Sequence, residues 1–299
     1  MEGIRDLREE KRQSRLVAYG RMVMFSHTVF SLPFALAGAL TTPKGFPGWN
    51  TLLWVVVAFL GGRNSANAVN RIVDRKIDAE NPRTAGRHLP SGRVSLAEAT
   101  LLALFFFGLL VFAAFRLNRT CVYLLPLAGA LFLLYSFTKR FTWLCHLFLG
   151  ATCAAASVGG WVAVTGTVSW QVLLLGAANA LWVMGFDIIY ATSDAEHDRI
   201  VGLYSIPSVF GVTLALVFAA VAHFLTLLLL IGFGIVVGLG LFYYLGVGVI
   251  GVLFLYQHRL VRPGWLEKVF FASYTVNQIV GLVFFIAVVG DFLVRGGLF

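Results

Sequence analysis

The stretch "NRIVDRKIDAENPRTAGRHLPSG", Asn70 to Gly92, decides how this chain is read. It follows the apolar run "TLLWVVVAFLGG" and precedes "LLALFFFGLLVFAAF". Its Asn70, Asp74 and Asp78 are spaced four apart, so on an α-helix they fall close to one face, drifting about 40° per step. They form an oxygen-lined ridge about 12 Å long at a rise of about 1.5 Å per residue. Carboxylates at i, i+4 repel when nothing neutralises them. Oxygen donors alone suit a hard divalent cation, and Mg²⁺ usually shares such carboxylates with a substrate phosphate.

A second stretch, "FDIIYATSDAEHDR", answers the first with Asp187, Tyr190, Asp194 and Asp198. Asp194 and Asp198 are again i, i+4, and Asp187 lies two turns earlier on the same face. The offset is 120 residues both from Asp74 to Asp194 and from Asp78 to Asp198. A solvated acid at a helix end is the ordinary explanation for one such stretch. Two at matched depth, running back into apolar helices, point instead to a site.

Composition supplies the setting. Of 299 residues, 59% are hydrophobic and 12% charged, with a mean hydropathy of +0.84. A soluble domain carries about 25% charged residues. A span needs about 20 mostly apolar residues. Nine candidate runs are present: 22–41, 51–70, 96–116, 121–137, 143–164, 170–190, 209–232, 234–256 and 269–290. The expectation is an all-α polytopic membrane protein of about nine transmembrane helices. Because both acidic stretches end an even-numbered span, these form two parallel four-helix halves plus one, around a central cavity. Residues 1–299 make one membrane-embedded domain, with 1–21 an interfacial segment. A signal peptide does not fit the mixed charge of the first 21 residues.

The basic residues set orientation. Eighteen Lys and Arg fall on the side of the N-terminus and both acidic stretches, four on the other, and Arg63 lies within a span. That puts the N-terminus and the acidic loops in the cytoplasm and the C-terminus outside. The net charge of +9 is therefore a topology signal and gives no reason to expect nucleic-acid binding. Cys121, Cys145 and Cys153 lie in apolar segments without CxxC spacing and read as packing residues.

The bases also frame the ridges. Arg71, Arg75, Lys76, Arg83, Arg87 and Arg93 flank the first, and Lys139 and Arg140 occupy the next loop on that side. Arg suits bidentate phosphate contacts and Lys point-charge ones. Arg63 sits two turns before Asn70, with Asn67 between, and within a span it needs an anionic partner. For most of the loop bases a topology or headgroup role is the ordinary explanation; Arg63 and Lys139 are the preferred phosphate partners, followed by Arg140 and Arg83. Arg21, at the start of the first span, either reaches the pocket or snorkels to headgroups. Pro82, Pro90 and Gly92 suggest a short helix and turn after the first ridge, and Pro207 a turn after the second. His27 and His146 read as hydrogen-bonded core histidines. Asn179 and Gln278 read as interhelical hydrogen-bond partners.

These motifs resemble those of the UbiA superfamily of intramembrane aromatic prenyltransferases. Its Asn-xxx-Asp-xxx-Asp pattern is matched by Asn70, Asp74 and Asp78, and its Asp-xx-Tyr-xxx-Asp-xxx-Asp pattern by Asp187, Tyr190, Asp194 and Asp198. The nine-span layout extends the likeness over nearly the whole chain. "YSFTKRFTWLCHLFLG" and "GLYSIPSVFG" look most like the 4-hydroxybenzoate polyprenyltransferase branch and its relatives in the futalosine route to menaquinone. Tyr204 departs from those relatives, many of which carry His there.

The resemblance implies Mg²⁺ held by Asn70, Asp74, Asp78, Asp194 and Asp198, with Asp187 adding a ligand or orienting one. It implies a polyprenyl pyrophosphate donor and an aromatic hydroxy-acid acceptor, used in ubiquinone or menaquinone biosynthesis. The allylic cation would attack an electron-rich ring ortho to its hydroxyl, shielded from water in an aromatic-lined cavity. The isoprenoid tail would leave sideways into the lipid bilayer.

Two other readings compete. An ion-coupled transporter of an anionic substrate would also show duplicated halves and membrane carboxylates, but carriers place their sites near the midplane. A CDP-alcohol phosphotransferase would also use membrane aspartates and Mg²⁺, but its signature is absent and it needs no second ridge.

Overall fold

In hydrocarbon every backbone N–H and C=O must pair within its own segment, so the apolar runs become helices. The structure, a computed structural model, describes residues 15–24, 28–261 and 268–296, and no strand occurs among them. The helices are α1 (Arg15–Met22), α2 (Thr28–Leu40), α3 (Trp49–Glu80), α4 (Leu96–Leu117), α5 (Arg119–Tyr123), α6 (Leu125–Thr138), α7 (Cys145–Thr165), α8 (Trp170–Ala191), α9 (Ala195–Val201), α10 (Ile206–Val237), α11 (Leu241–Leu260) and α12 (Val276–Val294). A π-helical turn, Phe271–Thr275, leads into α12. Among the described residues, eight stretches are long and apolar enough to cross a membrane, taking α5 with α6 and α8 with α9.

The remaining expected span, 22–41, differs from its reading. Helix α1 ends at Met22, and Met24 sits in the left-handed region at φ 54°. The Asn67 side chain donates to the Val23 carbonyl at 2.7 Å, giving that helix end its partner. Helix α2 then runs 13 described residues. Residues 1–14 of the expected interfacial segment, and His27, lie outside the described residues. The described part of that segment docks on α4, where Arg15 and Tyr19 both bond Glu98, at 2.7 and 2.8 Å.

Helix α3 packs on α4, α7 on α8, and α8 on α10, while α2 lies against α3, α7 and α12. The α2–α7 crossing is close because it uses small residues: a Cβ on Gly38 would collide with the Ser157 carbonyl, and one on Gly160 with that of Ala35. Phe34 stacks between Trp182 and Phe284, at centroid distances of 4.7 and 4.5 Å. Trp182 Nε1 donates to Asn277 Oδ1 at 2.7 Å, joining α8 to α12. Asn277, rather than the neighbouring Gln278, is the interhelical partner there; Gln278 is exposed. Asn179 does bridge helices, donating to the Cys153 carbonyl and Ser157 Oγ of α7. The outer faces are as apolar as the core, with Leu101, Leu104 and Phe105 on α4 and Val252 and Leu255 on α11 exposed. Hydrocarbon solvates such surfaces without penalty.

Two turn expectations are corrected. Residues 81–94 form a chain of turns with no helix, closed by bonds such as Thr84 N–H to Asn81 O and Arg87 N–H to Thr84 O. Prolines at both ends remove backbone donors that a helix would need. Pro207 does not make a turn; it sits in the first turn of α10, where its missing N–H costs nothing, after the Ser205–Ser208 capping box. The break in that helix comes later, at Gly211, whose φ of 82° only glycine adopts freely.

Candidate active site

Helix α3 continues unbroken through the first motif to Glu80, so Asn70, Asp74 and Asp78 share one face as expected. Asp74 and Asp78 are buried, at 3% and 4% exposure, and a buried carboxylate needs charged or hydrogen-bonding partners. Asn70 donates to Asp74 Oδ2 at 3.0 Å. Lys139 Nζ lies 2.6 Å from Asp74, and Arg140 lies 3.1 Å from its other oxygen. Arg140 is fixed in turn by the Ser136 and Val73 carbonyls. Asp78 pairs with Arg87 at 2.6 Å, and Arg71 stands 3.9 Å away.

The second motif is less regular than its spacing suggests. Helix α8 stops at Ala191, and Thr192–Asp194 tighten into a 3₁₀ turn before α9. Thr192 and Ser193 hydroxyls bond back to the Ile189 and Tyr190 carbonyls, and such local bonds compete with the regular helix. The change of pitch sends the three acids to three different partners. Asp187 meets His146 Nδ1 at 2.7 Å. Asp194 takes the Arg83 guanidinium, with Nε at 2.8 Å, and the Asn81 amide at 3.2 Å. Asp198 accepts from Ser205 Oγ at 3.1 Å.

Arg83 also bonds the Tyr190 hydroxyl, so the loop after the first motif grips the second motif directly. Burial disfavours the Arg83 charge, but its bonds to Asp194 and Tyr190 outweigh that and lift its pKa above the ordinary arginine value.

Beside the motifs lies a cavity of about 640 Å³, walled by α3, α6, α7 and α8. Its lining is mostly apolar, with Arg63, Asn67, Asp187 and Tyr274 among its polar side chains and Trp182 and Phe186 among its rings. Leu127 on α6 and Leu173 on α8 line it and are also exposed, marking where it reaches the outer surface. Of the expected site residues, the cavity wall carries Arg63, Asn67 and Asp187, while Asn70, Asp74, Asp78, Tyr190, Asp194 and Asp198 lie at the adjoining ends of α3, α8 and α9, with Arg83, Lys139 and Arg140 in the neighbouring turns. Arg21 is exposed on the last turn of α1. Tyr204 is exposed, and its backbone N–H bonds the Lys139 carbonyl.

Among the described residues no three His, Cys, Asp or Glu side chains converge into a coordination set. Each carboxylate is instead served by its own neighbours, which relieves like-charge repulsion along a helix. The donor chemistry still fits a hard divalent cation. Asp78 Oδ2 is buried and accepts no hydrogen bond, and Asp198 has no basic side chain in ion-pair range among the described residues.

Several contributors were missed as site residues in the sequence. His146 reads as a core histidine, and it is buried and hydrogen-bonded, but its partner is the motif acid Asp187. Asn81 and Tyr274 carried no periodic signal. Arg87 was one flanking base among six.

The comparisons decide the family. A model of the UbiA prenyltransferase family matches residues 31–279. The chain belongs to that family. A 4-hydroxybenzoate octaprenyltransferase of Vibrio vulnificus is 36% identical, over 80% of this chain and 84% of its own. One from Citrobacter koseri is 33% identical over 92% of this chain and 95% of its own. A UbiA homolog from Aeropyrum pernix K1 shares the structure at a TM-score of 0.82 and 33% identity, covering 89% of this chain and 98% of that one. A UbiA homolog from Archaeoglobus fulgidus bound to GPP and Mg²⁺ has the same fold at a TM-score of 0.63 and 19% identity, covering 89% and 99%. This UbiA-family protein is thus a multi-pass membrane enzyme, a polyprenyltransferase like those that act on 4-hydroxybenzoate.

Proposed function

We propose that the protein transfers a polyprenyl group from a polyprenyl pyrophosphate to the ring of an aromatic hydroxy acid, 4-hydroxybenzoate-like or naphthoate-like, in quinone biosynthesis. The observation that carries the reading is the apolar cavity whose polar wall, Arg63, Asn67 and Asp187, adjoins both acidic motifs. The names of the curated relatives support the acceptor class. The GPP and Mg²⁺ of the Archaeoglobus homolog support the donor class and the metal.

Asn70, Asp74 and Asp78 on one side, and Asp194 and Asp198 on the other, would hold Mg²⁺. When bound, Mg²⁺ supplies charge stabilisation to the leaving pyrophosphate. The chain does the rest. Lys139, Arg140 and Arg83, each already beside a motif carboxylate, offer donors to the phosphate oxygens. Tyr190 is held beside them by Arg83. Arg63 and Asn67 face an anionic substrate group from the cavity wall. The allylic carbon–oxygen bond breaks with its electron pair leaving on pyrophosphate. The ring carbon ortho to the hydroxyl then bonds the allylic carbon, and its proton passes to the released pyrophosphate, which restores the aromatic ring. Trp182, Phe186 and Tyr274, in the cavity wall, help keep this step dry. The tail leaves past Leu127 and Leu173 into lipid.

The whole chain, 1–299, acts as one domain. Its N-terminus and site loops face the cytoplasm, a reading the distribution of basic residues supports, and the bacterial relatives support a bacterial inner membrane. A panel of hydroxyaryl acids offered with a labelled polyprenyl pyrophosphate tests the reading. Prenylated product on one acid supports it, and product on none overturns the acceptor assignment.

A further inference from the structure

His146 takes no part in the chemistry above, yet it is 3% exposed and 2.7 Å from a motif acid. We propose that His146 is a positioning residue: it clamps Asp187 so that the free carboxylate oxygen accepts a hydrogen bond from the hydroxyl of the aromatic acceptor. This rests on the prenyl-transfer reading above.

Three helices build the clamp. His146 is in the first turn of α7, Asp187 in the last turns of α8, and Ile206 is the first residue of α10. The opening N–H groups of a helix have no partner within it. The Ile206 N–H therefore donates to His146 Nε2, at 3.3 Å. A nitrogen that accepts an N–H cannot carry a proton of its own, so the imidazole proton sits on Nδ1 and points at Asp187 Oδ2. The tautomer is fixed by the backbone and needs no titration.

Asp187 is then left with one committed oxygen and one available. No side chain among the described residues bonds Oδ1, and the carboxylate lines the cavity with 24% of its side chain exposed. A carboxylate accepts hydrogen bonds only, so it selects a donor. In an aromatic hydroxy acid the ring hydroxyl is that donor. Bonding it to Asp187 sets which ring carbon faces the allylic carbon and pushes electron density into the ring. A site built to bond a hydroxyl rejects analogues that lack it, because its own polar group is then left unpaired. Without His146 the carboxylate can rotate, and that discrimination falls.

The test compares kcat/KM for hydroxy- and methoxyaryl acids in wild type, His146→Leu and His146→Asn. Wild type is expected to favour the hydroxy acid by about 100-fold or more. His146→Leu is expected to reduce that ratio by about tenfold or more. The amide of His146→Asn, near the Nδ1 position, is expected to keep most of it. The KM for the polyprenyl pyrophosphate is expected to stay near wild type in both. If His146→Leu slows both acids equally, His146 is merely structural and the proposal is overturned. Collapse of the ratio in His146→Asn to the leucine level overturns it too, as does a wild type indifferent to methylation. If wild type prenylates no hydroxyaryl acid, the parent reading fails and takes this one with it. Nitrogen NMR of ¹⁵N-histidine protein, assigned by difference, gives a check independent of the leucine variant: protonated Nδ1 with bare Nε2 supports the clamp, and the opposite tautomer overturns it.

Discussion

Lys139 Nζ lies 2.6 Å from Asp74 Oδ2, although Asp74 is on α3 and Lys139 is in the turn that follows α6, and Arg140 holds the other oxygen of the same acid at 3.1 Å. One buried carboxylate is thus served by two adjacent cations. Asp74→Asn keeps the shape and removes the charge. Turnover is expected to fall by about 100-fold or more, on the scale of losing one electrostatic group at a reacting centre. Asp194→Asn should behave alike. Size-exclusion profiles matching wild type would show that the loss is chemical.

Arg83 ties the first loop to the second motif by a forked contact with Asp194. Arg83→Ala is expected to raise the KM for the polyprenyl pyrophosphate by about tenfold, the worth of a charge-assisted bond. Arg83→Lys should recover little, because an ammonium cannot reproduce the planar fork. Steady-state kinetics with varied donor decides this.

How far the sequence showed this site depends on the residue. The regular spacing of Asn70, Asp74 and Asp78 was legible because α3 is unbroken there, and period alone then sets the face. The same reasoning put Asp187, Asp194 and Asp198 on one ridge, and the 3₁₀ turn at Thr192–Asp194 undid it. That turn depends on hydroxyl back-bonds, which periodicity does not register. The apolar spans were legible from hydropathy, and most helix ends lie within a few residues of their reading. The end of α1 at Met22 was not, because it is set by Asn67, 44 residues downstream of the carbonyl it caps. His146 looked like packing because its meaning lies in a partner 41 residues away.

Trp182 joins α8 to α12 through a buried indole N–H to Asn277 Oδ1. Trp182→Phe preserves the ring stack on Phe34 but strands the Asn277 oxygen. A destabilisation of about 1–3 kcal/mol is expected. Thermal unfolding in detergent should show a lower midpoint. An unchanged midpoint would mean that this bond adds nothing to the α8–α12 contact.

Gly160 lets α7 approach α2 at the Ala35 carbonyl. Gly160→Val forces the helices apart beside the cavity, which both Ala35 and Gly160 line. Overpacking of this kind costs about 1–3 kcal/mol. The variant should unfold at lower temperature, whereas Gly159→Ala, where a Cβ meets nothing within 4 Å, should not.

The most direct test of a divalent-cation pyrophosphate site shared by the two acidic motifs is wild-type prenyl transfer, measured after chelation and then titrated with Mg²⁺. Activity is expected to vanish in EDTA and return with added Mg²⁺. Undiminished product in EDTA would contradict the site.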